Sequence, residues 1–399
     1  MKNFIRNNYV ALKSIIAFKR LQSKSRKIVF YAEDAQSQNF LFDLAKELLV
    51  KFDQEVCYLT SDIDDSILSL QKDYTNLHSF YIGDGFFRTW LFTSLEADLM
   101  VMTMPDLETF HLKRSAVYDV HYLYIFHALV STHSVYRLGA FDSYDTIFCV
   151  GPHQIKEIRQ TEKFYNLNKK NIFRDGYRPL EYLINENTQF NTKSSDQLNI
   201  LIAPSWGSNN ILEHCIDRLL DTLLESDMHV TIRPHPMTIR HHGKNLAKLK
   251  DAYRHKENFE IQVNIENRDL LFNSDLLITD WSGIGIEYGI GLKKPVIYID
   301  TPKKIHNPDA DKINLVPIET EIRSEIGKIV NIDDLSNINS YIFELLKKYD
   351  EKKNIYSRKI IHSTNRQKEF YPLPMQINLE IIKIKNHYKF THLGIRKLF

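Results

Sequence analysis

The chain has 399 residues, of which 43% are hydrophobic and 26% are charged, and its formal net charge is +2. This composition is typical of a folded globular protein, and the length exceeds that of one ordinary hydrophobic core, which predicts two domains. A near-neutral charge argues against a nucleic-acid-binding protein. The three cysteines, Cys57, Cys149 and Cys215, lack metal-ligand spacing and indicate free thiols in a reducing compartment, so a cytoplasmic location is expected.

Residues 1–26 form a basic N-terminal segment. Eight lysines and arginines occur up to Lys27 and no acidic residue precedes Glu33, while apolar residues are interleaved at helical spacing. One interpretation is an amphipathic helix that lies on an anionic membrane surface. The other is a helix that packs across the first domain with its basic face in water. No apolar run predicts a transmembrane helix, and no signal peptide is recognisable.

Residues 27–190 predict a first Rossmann-like domain. A helix is expected at residues 40–52, between the first two strands, which is the opening of a β-α-β unit. The six predicted strands cover residues 27–32, 55–60, 79–82, 99–103, 122–126 and 146–150. Their spacing suits a parallel sheet covered on both faces. The polar stretch 185–197 is the best linker candidate.

Residues 191–335 predict a second Rossmann-like domain, and residues 336–399 a helical tail that crosses back to the first domain. Strands are expected at residues 198–203, 229–233, 259–262, 276–279 and 295–299, and helices at 211–226, 243–253, 268–273 and 284–292. The fold class is therefore α/β, with two doubly wound domains facing a central cleft. Ligands of such sheets bind beyond the carboxyl ends of the strands.

The glycine-rich segment 279–289 follows a buried strand and enters a helix, a setting that attracts phosphate. Each glycine inside a helix costs roughly 1 kcal/mol relative to alanine, so a ligand is expected close to this backbone. Ser282 and Gly283 are predicted to face the phosphate, although Ser282 also fits a plain helix cap. Asp280 is expected to bind a ribose hydroxyl or a cation, or to form a turn, and Glu287 to accept hydrogen bonds from a nucleoside.

Two further loops follow strands of the second domain. In one, Pro234 and Pro236 stiffen the backbone on either side of His235, which suits a positioning role. Arg233 adds a cation whose shape fits phosphate oxygens. In the other loop, the Ser205 hydroxyl is expected either to reach an anion or to cap the following helix.

Histidines are the candidate bases of the first domain. His127 follows a predicted strand, and its ordinary pKa near neutrality suits removal of a proton from an acceptor hydroxyl. His133 lies close behind it in the sequence, and His153 begins the helix after another strand, so both are candidates for the cleft. No cluster has zinc spacing and no P-loop is present, so no metal is expected. The Asp-Ile-Asp at 62–64 is interpreted as an acidic helix cap.

Three motifs in order resemble the CDP-glycerol glycerophosphotransferase family, which includes teichoic-acid primases and polymerases and capsule enzymes. They are Arg-Pro-His-Pro at 233–236, Thr-Asp-Trp-Ser-Gly at 279–283 and Lys-Pro-Val-Ile-Tyr at 294–298. The resemblance implies a GT-B-like fold, CDP-glycerol bound mainly by the second domain, and no cofactor. In the first domain the family's aromatic-His-Gly is replaced by Phe-His-Ala at 126–128, which leaves His127 and His133 as alternative bases.

The resemblance also implies the reaction. Glycerol phosphate would pass to a hydroxyl of a growing glycan or polymer, with CMP as leaving group. His127 would act as base, and Arg233, His235 and Ser282 would stabilise the phosphates. The basic segment would hold the enzyme on the inner face of a bacterial plasma membrane, where a lipid-linked acceptor resides. Two alternatives stay open: a GT-B glycosyltransferase that uses a CMP- or UDP-sugar, and a non-catalytic module of a polysaccharide assembly complex.

Overall fold

The structure is a computed structural model that describes residues 2–190, 197–264 and 268–352. It contains two parallel β-sheets, one in each of two compact units. Within the described residues, the first unit comprises 2–128 and 136–177, and the second comprises 129–135 and 178–352. The α/β class predicted from the sequence is confirmed.

The sheet of the first unit has seven strands in the order β3-β2-β1-β4-β5-β6-β7. Their bounds are β1 Ile28–Ala32, β2 Val56–Thr60, β3 Leu77–Tyr81, β4 Leu99–Met102, β5 His121–Ile125, β6 Thr146–Cys149 and β7 Asn171–Arg174. The order reverses between β1 and β4, so the carboxyl ends of these two strands form the topological switch point of the sheet.

The sheet of the second unit has six strands in the order β10-β9-β8-β11-β12-β13. Their bounds are β8 Leu198–Ile202, β9 Met228–Ile232, β10 Phe259–Ile261, β11 Leu276–Thr279, β12 Val296–Ile299 and β13 Gly327–Val330. Here the order reverses between β8 and β11. The loops that follow these two strands therefore border the crevice where doubly wound sheets bind ligands.

Helices lie along the whole described chain. Their bounds are α1 Lys2–Arg20, α2 Gln38–Lys51, α3 Ile67–Leu70, α4 Phe86–Thr93, α5 Thr132–Val135, α6 Pro152–Phe164, α7 Arg178–Gln189, α8 Ile211–His214, α9 Ile216–Leu223, α10 Pro236–Ala252, α11 Asp269–Asn273, α12 Ile284–Glu287, α13 Ile318–Glu321, α14 Arg323–Ile326 and α15 Ile338–Lys352. The predicted helix 284–292 is thus one short α-helix, α12, followed by a π-helical turn, Tyr288–Leu292. Across the described residues, no helix combines the length and apolarity needed to cross a membrane.

All eleven strands predicted from the sequence are present, each within two residues of its expected ends. Central strands such as β1 and β2 are buried along their whole length, which gives the continuous apolar runs that the sequence analysis detected. Strands β7 and β13 are not predicted from the sequence. Both are edge strands with mostly exposed or half-buried residues, so they carry no such run.

The second unit begins earlier than the predicted boundary near residue 190. Leu180 and Leu183 of α7 contact the π-helical turn at Gly291, where an added Cβ would lie 3.0 and 2.8 Å from their side chains. At its other end, α15 buries Ile338 and Ile342 in the core of the second unit. The first part of the predicted tail, α15, thus packs on the second unit, and residues 353–399, on which the expected return to the first domain depends, lie outside the described residues.

A short strap from the first half of the sequence, residues 129–135, is built into the second unit. The Glu319 carboxylate accepts hydrogen bonds from the Ser131 N–H at 3.0 Å and from the Ser134 hydroxyl at 2.8 Å. The Asn307 side chain donates to the His133 carbonyl oxygen at 2.9 Å. Residues 131–134 are all buried, so the strap is an integral part of the unit.

The N-terminal helix α1 packs on the first unit by one face. Ala11, Ile15 and Phe18 are at most 1% exposed, and the Phe18 ring meets Phe80 edge to face at 5.6 Å. The Lys19 ammonium donates to the Ser94 hydroxyl at 2.8 Å. Of the two interpretations of the basic segment, packing across the domain is therefore present in the structure.

The opposite face of α1 is both apolar and basic. Ile5, Tyr9 and Ile16, which share one face of the helix, are 62%, 68% and 39% exposed. An exposed row of basic residues lies beside them, formed by Arg6, Lys13 and Arg20. We call these six residues the outer face of α1.

Candidate active site

Three loops of the second unit follow neighbouring strands of its sheet. Residues 203–210 follow β8, residues 233–235 follow β9, and residues 280–283 follow β11. Parallel strands end at the same edge of a sheet, so the topology gathers these loops at the switch point between β8 and β11. All residues predicted to bind the donor lie in these loops, except Glu287, which ends α12.

Asp280 is fully buried, and its carboxylate is occupied by backbone groups. Its Oδ1 accepts from the Ser205 N–H at 2.9 Å and its Oδ2 from the Ile211 N–H at 3.0 Å. Burial raises the pKa of Asp280, while the two N–H groups oppose that shift by stabilising the charged form. The geometry therefore assigns Asp280 to holding the loop after β8, in place of the predicted direct contact with a ribose or cation.

Ser205 lies in the loop that Asp280 holds. Its backbone N–H is bonded to Asp280, and only 4% of the residue is exposed. The predicted reach of its hydroxyl towards an anion is not apparent from this buried position. The helix after the loop is capped instead by Asn210, whose side-chain oxygen accepts from the Glu213 N–H at 3.1 Å.

The turn after β11 presents backbone donors. The N–H groups of Ser282, Gly283 and Ile284 make no hydrogen bond within the described part of the chain, and all three residues are half-buried. The next N–H groups, of Gly285 and Ile286, already bond to carbonyl oxygens of the turn. Three consecutive N–H groups without an internal partner are usual at the start of a helix, and such groups can bind an anion.

The remaining glycines of this segment are explained by packing against protein. A Cβ on Gly285 would lie 2.7 Å from the Tyr298 ring and 2.9 Å from the Thr279 methyl group, and one on Gly289 would lie 3.0 Å from Ile326. The prediction that these glycines admit a ligand is therefore wrong for Gly285 and Gly289. At Gly283 the nearest neighbour of such a Cβ is Val130 at 3.6 Å, an ordinary contact, so this glycine alone retains the ligand explanation.

His235 caps helix α10 and thereby has a defined tautomer. Its Nδ1 lies 3.1 Å from the Met237 N–H. A backbone N–H can only donate, so Nδ1 accepts and the proton of the neutral ring is on Nε2. His235 is therefore a hydrogen-bond donor through Nε2. Its ring centroid lies 6.2 Å from that of Trp206 in the loop after β8.

Arg233 is half-buried beside two charged side chains. Burial lowers the pKa of its guanidinium, the carboxylate of Glu287 raises it, and Arg268 lowers it further. Arginine remains protonated under all ordinary conditions. Glu287 therefore acts on Arg233 electrostatically, which links the loop after β9 to the end of α12.

In the first unit, His127 follows β5 near the switch point between β1 and β4. Its Nδ1 lies 3.1 Å from the carbonyl oxygen of Thr103, directly after β4, so Nδ1 carries the proton. Its Nε2 makes no hydrogen bond among the described residues. Burial lowers the pKa of His127, opposed by the Thr103 bond and by Asp34, which favours the neutral ring with Nε2 as the nitrogen that can accept a proton.

The other two histidines have different environments. His133 is 4% exposed, with Nε2 3.1 Å from the Leu315 carbonyl oxygen and Nδ1 3.3 Å from the Ser131 hydroxyl. Both of its ring nitrogens are therefore engaged inside the strap. His153 is half-buried at the start of α6, and its ring lies against Gly151, where an added Cβ would be 3.1 Å from Nδ1.

The described residues contain no group of three or more His, Cys, Asp or Glu side chains that could hold a metal ion. The Asp-Ile-Asp at 62–64 was predicted to cap the following helix. The N-cap residue of that helix is Ser66, which makes no side-chain cap bond, and the preceding Asp65 carboxylate accepts from the Ile67 N–H at 3.0 Å and from the Thr60 hydroxyl at 2.7 Å.

Two further residues, Trp206 and Lys304, lie at the loops that follow β8 and β12 and are not predicted from the sequence. Trp206 is 40% exposed in the loop after β8, and the Lys304 ammonium lies 4.5 Å from its ring centroid. The same ammonium donates to the Trp206 carbonyl oxygen at 2.7 Å. Trp206 could have been identified from the sequence, because it lies in a loop that contains the predicted donor-binding residue Ser205. Lys304 follows β12, far away in the sequence, and no sequence feature identifies it.

Comparison with known proteins supports the resemblance. Residues 131–307 match the family model described as CDP-Glycerol:Poly(glycerophosphate) glycerophosphotransferase. This range contains every predicted donor-binding residue, but it begins four residues after His127. No curated protein sequence matches the chain significantly. The resemblance inferred from the three motifs is thereby confirmed, and it supports a transferase of the glycerophosphotransferase type.

Solved structures show the same fold at low identity. The wall teichoic acid polymerase TagF has a TM-score of 0.54 at 16% identity, covering 97% of this chain and 99% of that one. A TagF variant soaked with CDPG gives 0.50 at 17%, covering 92% and 97%. A glycosyltransferase from Rickettsia africae gives 0.51 at 14%, covering 90% and 98%. The GT-B-like fold predicted from the sequence, with two doubly wound Rossmann-like domains, is confirmed.

Proposed function

Starting from the match of residues 131–307 to the glycerophosphotransferase family, we propose that this protein transfers glycerol phosphate from CDP-glycerol to a hydroxyl of a growing cell-surface glycan or polymer, of capsule or teichoic-acid type. The observation that carries the proposal is the row of three unbonded N–H groups at residues 282–284. It lies at the switch point of the second unit, within the matched range. A diphosphate is the part of this donor that such a row would bind.

The donor groups have complementary roles. The N–H groups of Ser282, Gly283 and Ile284 would bind phosphate oxygens without any change of protonation. Arg233 would add a permanent positive charge, and His235 would donate one hydrogen bond from Nε2. Such fixed donors stabilise the negative charge that develops on the departing phosphate. Asp280 would contribute indirectly, by holding the loop after β8.

The chemical step follows from these roles. The acceptor oxygen forms a bond to the phosphorus that carries glycerol, and the bond from that phosphorus to the bridging oxygen breaks. CMP leaves with the electron pair of the broken bond. The proton of the acceptor hydroxyl passes to Nε2 of His127, the ring nitrogen that carries no proton in the neutral tautomer. His133 is the less suitable base because both of its ring nitrogens are engaged.

The membrane is proposed as the place of the reaction. The outer face of α1 combines exposed apolar side chains with three bases, a combination that suits the headgroup region of an anionic leaflet. We infer that the protein is cytoplasmic and peripheral on the inner face of a bacterial plasma membrane. A lipid-linked acceptor would reach it there.

The decisive experiment compares donors. Purified protein is incubated with a defined acceptor and either CDP-glycerol, a CMP-sugar or a UDP-sugar, and released nucleotide and product mass are measured. We expect CMP release with CDP-glycerol and a product heavier by one glycerol phosphate. Turnover of a sugar nucleotide alone would instead identify a GT-B glycosyltransferase.

A variant separates the enzyme from a non-catalytic assembly module. Replacement of His235 by alanine removes the Nε2 donor and should lower the rate by about 100-fold or more, the usual effect of losing one such donor. Unchanged polymer production by cells carrying this variant would indicate a module whose site is not used.

A further inference from the structure

Trp206 is exposed, and the backbone of its loop is held by several hydrogen bonds. It lies at the tip of the loop after β8, with 40% of the residue exposed. Asp280 binds the N–H groups of Ser205 and Ile211 on either side of the tip. The Thr301 hydroxyl donates to the Asn209 carbonyl oxygen at 3.1 Å. A large aromatic ring is thus held towards solvent by a backbone anchored to two neighbouring strand ends.

The ring itself is also positioned. The Lys304 ammonium is 4.5 Å from its centroid and bonds to the Trp206 carbonyl oxygen. The His235 ring is 6.2 Å away and tilted by 33°. Gly207, at φ +100°, provides the left-handed backbone that lets the loop turn directly after Trp206.

We propose that Trp206 is the platform on which the pyrimidine base of the donor nucleotide stacks. This inference rests on the proposed function, because it assumes a nucleotide whose phosphates are bound at His235 and the N–H groups of residues 282–284. A phosphate bound by His235 brings the attached nucleoside to the neighbouring ring. A rigid aromatic platform binds a base at low entropic cost, since the ring is already ordered.

The position of Trp206 also separates base binding from phosphate binding. Phosphates need donors and positive charge, which the turn after β11 and Arg233 supply. The indole ring offers a flat π-face instead, which suits a base and contributes nothing to pyrophosphate. Replacing Trp206 should therefore weaken the binding of CMP and leave that of inorganic pyrophosphate unchanged.

The test is calorimetric titration of CMP and of pyrophosphate into the full chain, as wild type and as W206A, W206F and W90A. W206A should bind CMP between about 5-fold and about 150-fold more weakly, the range expected for loss of one stacked base. W206F should recover most of that loss, because phenylalanine keeps a π-face. Trp90 is the matched control: it is also 40% exposed and also has a lysine, Lys19, over its ring.

Three results would overturn the inference. Wild-type affinity of W206A for CMP would show that the base does not use this ring. An equal loss for CMP and pyrophosphate would show that Trp206 only maintains the loop. If wild-type protein binds pyrophosphate but not CMP, the proposed nucleotide donor is wrong as well. This outcome is seen with the wild-type protein alone, so it can be told apart from a failure of the Trp206 proposal, which is seen only in the comparison with W206A. W206F guards against misfolding, since it keeps an aromatic ring at this position.

Discussion

Both histidines of the proposed mechanism are hydrogen-bonded through Nδ1, but in opposite directions. His127 donates from Nδ1 to a carbonyl oxygen, which leaves Nε2 as a base, whereas His235 accepts at Nδ1, which leaves Nε2 as a donor. One backbone contact thus assigns opposite chemical roles to the same residue type. These assignments lead to predictions at the level of single residues.

The pH dependence of the reaction should report His127. Burial lowers its pKa below the ordinary value of 6.5, and only the neutral ring accepts a proton. We expect kcat/KM to rise with pH through an apparent pKa below 6.5 and then to level off. In H127N this acid limb should disappear and kcat should fall by about 100-fold to 10,000-fold, the range for loss of a general base.

The same measurement on H133N distinguishes the two candidate bases. His133 is buried with both ring nitrogens bonded, so its replacement should lower thermal stability more than kcat, and the acid limb should persist. A lost acid limb in H133N with a normal profile in H127N would reverse the assignment.

The glycines after β11 should separate into two kinds. G285A forces a Cβ against Tyr298 and should lower the free energy of unfolding by about 1–3 kcal/mol, measured by chemical denaturation. G283A meets only Val130 at 3.6 Å and should fold normally, but its KM for the donor should rise because phosphate approaches the backbone there. G243A, in α10 with nothing within 4 Å, is the control and should not be destabilised.

At the level of secondary-structure elements, the two faces of α1 can be tested separately. Its inner face, at Ala11, Ile15 and Phe18, belongs to the core of the first unit. Deleting the helix would therefore expose that core, and a loss of membrane binding could then not be distinguished from unfolding. Substitutions confined to the outer face avoid this problem.

The membrane proposal predicts a clear effect of such substitutions. The triple change I5S, Y9S and I16S should reduce co-sedimentation with phosphatidylglycerol vesicles, while the melting temperature stays close to that of wild type because these side chains are exposed. Binding should also weaken with added salt, since part of the attraction is electrostatic. I15S on the inner face is the contrasting control, expected to lower the melting temperature. Unchanged sedimentation of the triple variant, at low salt, would contradict the proposal.

At the level of the whole molecule, ligand binding should couple to the stability of the second unit. CMP at 100 times its Kd should raise the free energy of unfolding of the unit that binds it by about 2.7 kcal/mol. Hydrogen exchange should locate the protection in the loops 203–210 and 280–287, and AMP is a suitable control for the base. Protection confined to the first unit would contradict the assignment of the donor groups.

The architecture, and the position of the polar motifs of the second unit after its strands, could be predicted from the sequence. Buried parallel strands are continuous apolar runs, so eleven strands were recognisable, and polar motifs directly after them were expected at one sheet edge. The family resemblance depends on two of these polar motifs, at 233–236 and 279–283, which directly follow predicted strands. The edge strands β7 and β13 could not be predicted, because their exposed positions interrupt the apolar run.

The contacts of individual side chains within this architecture could not be predicted in the same way. The occupation of Asp280 by two backbone N–H groups, the packing of Gly285 against Tyr298 and the burial of His133 in the strap all depend on contacts between segments far apart in the sequence. The same holds for Trp206, whose neighbours come from the loops after β9 and β12. Periodicity encodes which face of an element is buried, but the partner that occupies a side chain is decided by the assembled fold.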